Sequence, residues 1–314
     1  MPSSDHFDGQ RFFNPTGANA QALRNVLRLL RTPRTAWPAS VPVTPQRPPA
    51  VGPDQVAVTF IGHSSFLIQS GPANILIDPV YAERASPVSF AGPRRVRAPG
   101  VRFDDLPPIS TVLVSHNHYD HCDLHALAEI ERRWHPAFVT PLANAKLLGS
   151  VGIKRVTELD WWERSEDTPV PVTMTPAQHF SARGPFDRNR ALWGGFLITL
   201  GNRRILFAGD TGYGPHLREI GERLGPFDLA LIPIGAYEPR WFMRNIHMDP
   251  AEAVEAHLEL RARKSIAMHW GTFQLTPEGI DEPVRALAAA LAARAVSPEQ
   301  FQCPEVGITL WLSE

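Results

Sequence analysis

The sequence predicts an α/β fold in which sheets form the interior and helices cover them. From residue 56 onward, short runs rich in β-branched and aromatic residues recur between turn-forming residues, as buried strands do. The first runs follow one another directly, whereas the later ones alternate with helical patterns, which is typical of a layered α/β architecture. The expected strands span residues 56–61, 65–69, 74–78, 111–115, 171–175, 192–199, 204–208, 229–232, 264–268 and 307–312.

The clearest helix signal begins at Asp249. An aspartate at the N-cap and Glu252 at the third helical position have the pattern of a capping box, and Pro250 stands at the first helical position, where proline is favoured. A second helix is expected over residues 281–295, which are rich in Ala and Leu. With 314 residues, of which 43% are hydrophobic, the chain is long enough to bury a substantial core.

Charge and cysteine content exclude several classes of protein. Lys and Arg number 31 against 32 Asp and Glu, a net charge of -1, whereas nucleic-acid binders usually have a basic excess. The two cysteines, Cys122 and Cys303, are too few for a disulfide framework or a thiolate zinc cage. No stretch has the pattern of a membrane span or a signal peptide. We therefore expect a cytoplasmic protein with no nucleic-acid partner and at most peripheral contact with the inner membrane face.

We divide the chain into an amino-terminal arm, residues 1–53, and a main domain, residues 54–314. Residues 21–31 of the arm carry Leu23, Val26, Leu27 and Leu30 at helical spacing. This amphipathic pattern fits a helix packed on the body, and it also fits an interfacial helix on anionic lipid. Another alternative is that the arm docks on a second copy of the chain, which would make the protein a homodimer. The proline-rich connector, residues 37–53, should run extended.

The chemistry is concentrated in a loop directly after the strand expected at 111–115, with the sequence HNHYDH. This loop supplies three imidazoles and one carboxylate, from His116, His118, Asp120 and His121. Such ligands without thiolate suit zinc, iron or manganese in an open, working site. Because so short a loop can hardly direct all four side chains at one ion, we expect two neighbouring metal ions.

Three further candidate ligands follow apolar runs elsewhere in the chain. They are His179, Asp210 and His269, and each comes just after an expected strand. Since the ends of neighbouring strands meet at one edge of a sheet, these side chains are expected to join the loop in one site. The carboxylate of Asp210 has two oxygens with which to bridge two cations, which an imidazole cannot do.

With these residues in place, the sequence resembles the metallo-β-lactamase superfamily. The resemblance narrows to N-acylphosphatidylethanolamine-hydrolysing phospholipase D and its bacterial relatives, through strings that include GHS at 62–64, AGDTGY at 208–213, IPIGAYEPRWFM at 232–243 and HWGTF at 269–273. It implies a four-layer αβ/βα sandwich and two Zn²⁺. By the same resemblance, one zinc is held by His116, His118 and His179, the other by Asp120, His121 and His269, and Asp210 bridges them.

The resemblance implies a zinc-dependent hydrolase, most specifically a phosphodiesterase of the phospholipase D type. The expected substrates are N-acylphosphatidylethanolamine-like or glycerophosphodiester molecules, attacked by a hydroxide between the metal ions. A lactone hydrolase with the same binuclear site remains an alternative, because the ligands are common to both reactions. A non-catalytic scaffold is disfavoured since all seven ligands are present, and a nuclease is disfavoured by the net charge of -1.

Several other residues have weaker candidate roles. Tyr119 is expected either to donate to a substrate oxygen or to fill the cleft wall. His247 resembles an active-site histidine of the phospholipase and would orient substrate or protonate the leaving oxygen. Arg240 either binds phosphate bidentately or forms an internal ion pair.

Two further groups are expected to act around the metal loop or at the surface. Asp78 and His63 are expected to fix the metal loop through hydrogen bonds rather than to bind metal. The basic loop with Arg94, Arg95 and Arg97 fits either solvated surface or an anionic head group.

Overall fold

Two seven-stranded sheets form the centre of this computed structural model, which describes residues 4–18, 25, 28–29, 31–165 and 168–312. The first sheet has the strand order β14-β1-β2-β3-β4-β5-β6. Its strands are β1 Val56–Gly62, β2 Ser65–Ser70, β3 Ala73–Ile77, β4 Thr111–Leu113, β5 Ala137–Pro141, β6 Val156–Leu159 and β14 Thr309–Leu312. Strands β14, β1, β2 and β3 are antiparallel, whereas β3 to β6 are parallel.

The second sheet has the order β13-β12-β11-β10-β9-β8-β7. Its strands are β7 Arg164–Ser165, β8 Val172–Thr175, β9 Gly195–Leu200, β10 Arg203–Phe207, β11 Phe227–Pro233, β12 Ala262–Met268 and β13 Phe301–Gln302. Strands β7 to β10 are antiparallel and β10 to β13 are parallel. Parallel neighbours need a crossover connection, which accounts for the helices late in each half of the chain.

The helices are α1 Leu124–Trp134, α2 Ala145–Gly149, α3 Pro215–Leu224, α4 Arg240–Met243, α5 Pro250–Glu259 and α6 Glu282–Ala293. The predicted capping box at the start of α5 is present, with Asp249 accepting from the backbone of Glu252 and the Glu252 side chain accepting from the backbone of Asp249. Among the described residues, no helix has the length and hydrophobicity needed to cross a membrane.

The three largest clusters of the core lie between the sheets and on the outer face of each sheet. Side chains from both sheets meet in the central cluster, where the rings of Phe66 and Phe207 are 6.5 Å apart. Helices α3, α5 and α6 pack on the outside of the second sheet through residues such as Leu217 and Leu287. Helix α1 packs on the first sheet through Leu127 and Ile130. The layers are therefore helix, sheet, sheet and helix, which confirms the expected α/β sandwich.

The ten expected strands all coincide with observed strands, with ends shifted by a few residues. The strands β5, β6, β7 and β13 were not predicted. Two of these, β7 and β13, have only two residues each. Strands of that length carry too little periodicity to be recognised in the sequence.

The amino-terminal arm lies along the body of the protein. Residues 25, 28 and 29 are helical, and Leu29 packs against a cluster that includes Phe242. The apolar positions predicted for the amphipathic helix, Leu23, Val26, Leu27 and Leu30, lie outside the described residues. The proline-rich connector has no regular helix or strand, and it is fixed by long-range hydrogen bonds such as the one from Nε1 of Trp37 to the carbonyl of Glu278, 2.8 Å.

Candidate metal centre

The candidate ligands all follow strands, and the fold brings them to one place. The loop 116–121 follows β4, His179 follows β8, Asp210 follows β10 and His269 follows β12 directly. Two residues from early strand ends join them, with His63 just after β1 and Asp78 just after β3. The sequence-predicted ligands therefore converge from both sheets, as their common position after apolar runs predicted.

One group consists of His116, His118 and His179. Nε2 of His116 lies 2.8 Å from Nδ1 of His118, and Nε2 of His179 lies 3.2 Å from the same Nδ1. One nitrogen from each of the three rings lies within 4.8 Å of the others. Three imidazole nitrogens facing one point are a suitable donor set for a transition metal ion.

A second group contains Asp120, His121 and His269, and the structure adds His63 to it. Oδ2 of Asp120 is 3.0 Å from Nε2 of His63, 3.4 Å from Nε2 of His269 and 3.6 Å from Nε2 of His121. His63 was expected to fix the metal loop through hydrogen bonds, and its Nε2 is within hydrogen-bond distance of Asp120 in that loop. The same ring nitrogen also lies among the potential ligand atoms of this group, all within 4.8 Å of one another.

Asp210 lies between the two groups. Its Oδ2 is 3.0 Å from Nε2 of His269 and 3.1 Å from Nε2 of His121, on the side of the second group. The same oxygen is 3.8 Å from Nε2 of His179, which belongs to the first group. One carboxylate therefore faces ligand atoms of both groups, which is the arrangement required of a bridging ligand.

Burial keeps most of the imidazoles neutral. It lowers the pKa of His118 to about 3 and the pKa of His179 to about 4. Burial, together with the neighbouring His121 and His118, lowers the pKa of His116 well below its usual value. Neutral imidazole is the form that binds metal, so the first group is prepared for ligation at neutral pH.

The carboxylate of Asp210 is held ionised by its histidine neighbours. Burial alone raises the pKa of Asp210, but His121 and His269 outweigh this effect and bring the pKa well below its usual range. The pKa of His121 shifts in the opposite direction. Burial lowers it, but Asp210 and Asp120 outweigh burial and raise the pKa well above its usual value. In the absence of a cation, protons on the second group therefore compensate the buried carboxylates, and a metal ion would displace them.

Backbone and side-chain hydrogen bonds fix the ligands in place. Oδ2 of Asp78 lies 2.7 Å from Nδ1 of His121, and Nδ1 of His179 lies 2.9 Å from the carbonyl oxygen of Ile246. The amide of His269 donates to the carbonyl of His63 at 2.7 Å, so these two residues hold each other. Such partners of ligand rings set their orientation and tautomer.

His247 and Arg240 lie together at the edge of the site. The His247 ring centroid is 5.1 Å from those of His179 and His269, and its Nδ1 is buried. Arg240 donates to the His247 carbonyl at 2.9 Å, while its Nη2 lies 2.6 Å from Glu252. The structure thus places Arg240 in an internal ion pair, one of the two roles considered for it, and links it to His247.

Tyr119 is paired with Arg183, a residue that sequence reasoning missed. The Tyr119 hydroxyl donates to the Arg183 carbonyl at 2.9 Å, and the Arg183 guanidinium lies 3.9 Å from the centre of the Tyr119 ring. The same guanidinium donates to the carbonyls of Asn117 and Cys122, both at 2.9 Å. Arg183 thereby braces the metal loop from outside. Arg183 is the first residue of the string RGPFDRNR. Its local sequence gives no signal for this contact, because its partners lie more than 60 residues away.

The expectation of a basic surface loop was wrong for two of its three arginines. Nη2 of Arg95 donates to the Val80 carbonyl at 2.7 Å, and its guanidinium lies 4.8 Å from the Phe273 ring centre. Arg97 is 6% exposed and its Nη1 lies 2.8 Å from Glu305. Arg97 is therefore buried and Arg95 is half-buried against backbone carbonyls, and Arg94 is the exposed one of the three.

The chemistry of the donor set fits a metal centre. Among the described residues, Oδ1 of Asp210 and Nδ1 of His247 are buried atoms without a hydrogen bond. Buried polar atoms are rarely left in this state unless a water or an ion completes them. Imidazole nitrogens and carboxylate oxygens without thiolate match the ligands of catalytic metal sites.

Comparison with known proteins agrees with this fold. A family model described as the β-lactamase superfamily domain matches residues 73–270, more than half of the chain. A solved structure, that of the metallo hydrolase Igni18 from the archaeon Ignicoccus hospitalis, superimposes with a TM-score of 0.61 at 23% identity, covering 83% of this chain and 99% of that one. The chain belongs to the metallo-β-lactamase superfamily, and it is a metal-dependent hydrolase.

Two curated relatives within the superfamily are similar to this chain over most of its length. The chain is 44% identical over 248 residues to N-acyl-phosphatidylethanolamine-hydrolyzing phospholipase D 1 of Caenorhabditis elegans, an alignment that covers 75% of this chain and 70% of the relative. It is 35% identical over 259 residues to the mitochondrial N-acyl-phosphatidylethanolamine-hydrolyzing phospholipase D of Saccharomyces cerevisiae, covering 80% of this chain and 55% of the relative.

Proposed function

We propose that this protein is a zinc-dependent phosphodiesterase of the phospholipase D type. Its proposed substrates are N-acylphosphatidylethanolamine-like lipids or glycerophosphodiesters. The observation that carries this proposal is the 44% identity over 248 residues with the C. elegans phospholipase D. The alternative of a lactone hydrolase uses the same ligands, and neither relative described above is named for that reaction.

The proposed metal ligands follow the two groups. His116, His118 and His179 would hold one zinc ion, Asp120, His121 and His269 would hold a second, and Asp210 would be shared. His63 lies close enough to belong to the second set. When bound, zinc lowers the pKa of water toward neutrality and stabilises the negative charge that develops on a phosphoryl oxygen.

The side chains near the ligands provide orientation rather than a nucleophile. His247 is the best-placed group to hydrogen-bond a substrate oxygen, because its buried Nδ1 has no partner among the described residues. Burial lowers the pKa of His247 well below its usual value, so it is neutral at pH 7 and acts as a hydrogen-bonding group. Arg240 holds the His247 backbone, and Arg183 with Tyr119 holds the metal loop.

The overall reaction adds one water across a P–O bond. The bond between phosphorus and the leaving oxygen breaks, the water oxygen joins phosphorus, and a proton goes to the leaving alkoxide. For an N-acylphosphatidylethanolamine the products are a phosphatidic acid and an N-acylethanolamine. No side chain forms a covalent bond in this scheme.

The test is a substrate panel run on purified protein. N-acylphosphatidylethanolamine, bis-p-nitrophenyl phosphate and a set of lactones are each assayed before chelation, after chelation and after zinc is returned. We expect phosphodiester cleavage that zinc restores. Asp210→Asn should reduce it by more than about 100-fold, because loss of a partner outside the ligands alone costs about 10–100-fold.

A control variant at another carboxylate tests whether the effect is specific to the site, and the lactone assays distinguish the two candidate reactions. Asp228→Asn removes a carboxylate that pairs with Arg203 and Arg263 away from the ligands, and it should retain the activity. Lactone turnover without phosphodiester cleavage would contradict the proposal and favour the lactone hydrolase. Bound zinc without turnover of any substrate would refute both.

A further inference from the structure

The amino-terminal strap, defined here as residues 4–18, lies against the segment that carries the metal ligand His179. The strap is outside the region 73–270 that matches the superfamily domain. It also precedes the first strand of the fold by more than 30 residues. Its contacts with the site are therefore made by a segment outside the matched domain.

Two aromatic anchors fix the strap. The ring of His6 stacks on Trp161, with centroids 3.9 Å apart and an interplanar angle of 14°. Phe12 is 4% exposed and packs in a cluster with Ala177, Leu192 and Trp193. The Phe12 amide donates to the carbonyl of Asn189 at 2.8 Å. Burial of these two aromatic rings makes the strap an ordered part of the molecule.

Two residues after the second anchor, Asn14 contacts the backbone of the metal ligand itself. Asn14 is 3% exposed, and its Nδ2 donates to the carbonyl of His179 at 2.9 Å and to that of Ala18 at 2.7 Å. Next to it, the Thr16 hydroxyl donates to Oε1 of Gln178 at 2.9 Å, and Gln178 donates in turn to the Asn245 carbonyl at 3.0 Å.

The backbone and the ring of His179 are thus held by two separate contacts. Asn14 binds its carbonyl, and the carbonyl of Ile246 faces ring Nδ1 at 2.9 Å. With both contacts present, Nε2 is directed toward His118 at 3.2 Å. If the hydrogen bond from Asn14 is lost, the backbone of His179 is free to rotate. Nε2 of His179 then spends less time in the position that metal binding requires.

We propose that Asn14 is a positioning residue for His179 and that docking of the strap is coupled to metal binding. The inference rests on the ligand role of His179 in the proposed function. Coupling is reciprocal, so whatever factor the docked strap adds to metal affinity, the bound metal must add to strap docking. A strap that only covers the surface would show no such coupling.

The test compares two nearly isosteric substitutions at buried asparagines. Asn14→Asp removes the donor to His179 while keeping the shape of the side chain. Asn144→Asp is the matched control, because Asn144 is 2% exposed and its Nδ2 also donates to backbone carbonyls, those of Pro141 at 2.9 Å and Leu192 at 3.1 Å, but not to a ligand. Asn14→Ala repeats the loss without adding a charge.

Zinc affinity is measured by competition with a chromophoric chelator, with thermal unfolding of the metal-free proteins as the measure of stability. In both Asn14 variants we expect the affinity for the zinc ion held by the His179 group to be at least about tenfold lower than in the wild type. The kcat for bis-p-nitrophenyl phosphate should fall in parallel with unchanged KM. Asn144→Asp should lower the unfolding temperature and leave zinc affinity unchanged.

Amide hydrogen exchange gives the reciprocal measurement. Zinc added to the metal-free wild type should slow exchange in the peptide covering residues 4–18, including the amide of Phe12, and should slow it less in Asn14→Asp. Wild-type zinc affinity in the Asn14 variants, or an equal loss in Asn144→Asp, would overturn the inference. Failure of the wild type to bind zinc would instead refute the metal proposal itself, and this inference with it.

Discussion

Asp78 and His121 are joined by a buried contact of 2.7 Å between the carboxylate oxygen Oδ2 and ring Nδ1. Both residues are inaccessible to solvent. The same carboxylate accepts from the amide and the hydroxyl of Ser115, at 2.7 and 2.5 Å. One acid at the end of β3 therefore fixes both the start of the metal loop and the tautomer of a ligand, leaving Nε2 of His121 directed at Asp210, 3.1 Å away.

Asp78→Asn is expected to weaken zinc binding by about 10–100-fold. The amide can still accept from Ser115, but it carries no charge to stabilise a proton on Nδ1 of His121. Competition with a chelator measures the affinity, and circular dichroism checks the fold. Asp228→Asn, away from the ligands, serves as the control. Equal zinc affinity in Asp78→Asn and the wild type would show that this carboxylate does not tune the ligand.

The positions of the ligands could be predicted from the sequence because each follows an apolar run of its own. His116, Asp210 and His269 each carry that local signal, and strand ends converge wherever strands form one sheet. The direction of the His63 side chain was not predictable in this way. It depends on a left-handed backbone, φ 56°, which a histidine adopts rarely and no local pattern reveals.

The contacts that sequence reasoning missed join distant parts of the chain. Asn14 and His179 are 165 residues apart, and Arg97 and Glu305 are 208 apart. A basic loop with no nearby acid therefore looks like surface, although its arginine is buried against the far end of the chain. The local sequence predicts whether a charged side chain is buried only when its ion-pair partner is close in the sequence.

Arg240→Gln is expected to lower kcat about tenfold or more for a soluble phosphodiester, with zinc affinity and KM unchanged. The guanidinium holds the His247 carbonyl at 2.9 Å and pairs with Glu252 at 2.6 Å, so its loss releases His247 without removing a phosphate contact. Steady-state kinetics on bis-p-nitrophenyl phosphate measure both constants.

Glu252→Gln separates the two roles considered for Arg240. Glutamine at this position keeps the capping box of α5 but removes the charge that holds the guanidinium. If Arg240 acts through His247, Glu252→Gln should lower kcat in the same way, to a smaller extent. A rise in KM in Arg240→Gln, with normal kinetics in Glu252→Gln, would instead identify Arg240 as a phosphate ligand.

Glu278→Gln is expected to stabilise the protein at pH 8 more than at pH 4. Burial raises the pKa of Glu278 above the ordinary 4.5, outweighing the hydrogen bonds from Thr276 and from neighbouring backbone groups, which lower it. Because the folded state holds this proton more tightly than the unfolded chain, the stabilisation from protonation is present below pH 4.5 and is lost as the pH rises through the folded pKa.

The glutamine variant keeps the neutral form at every pH, so its advantage should grow with pH to the order of 1 kcal/mol. Denaturant unfolding of the metal-free protein at both pH values measures the difference. Glu299→Gln is the control, because Glu299 is exposed and its pKa is lowered by hydrogen bonding to Ser297. A stability difference independent of pH would contradict the assignment to Glu278.

Gly235→Ala is expected to destabilise the protein by about 1–3 kcal/mol or more and to weaken zinc binding. A Cβ at Gly235 would lie 2.1 Å from the carbonyl oxygen of His269, so the backbone that carries this ligand must move. His269 has a left-handed φ of 61°, and that constrained backbone leaves it little freedom to adjust. Urea unfolding and chelator competition measure the two effects. Gly149→Ala, at an exposed helical position where no atom outside its own helix lies within 4 Å of the added Cβ, should neither destabilise the protein nor weaken zinc binding. Wild-type behaviour of Gly235→Ala would show that the close approach does not fix the ligand.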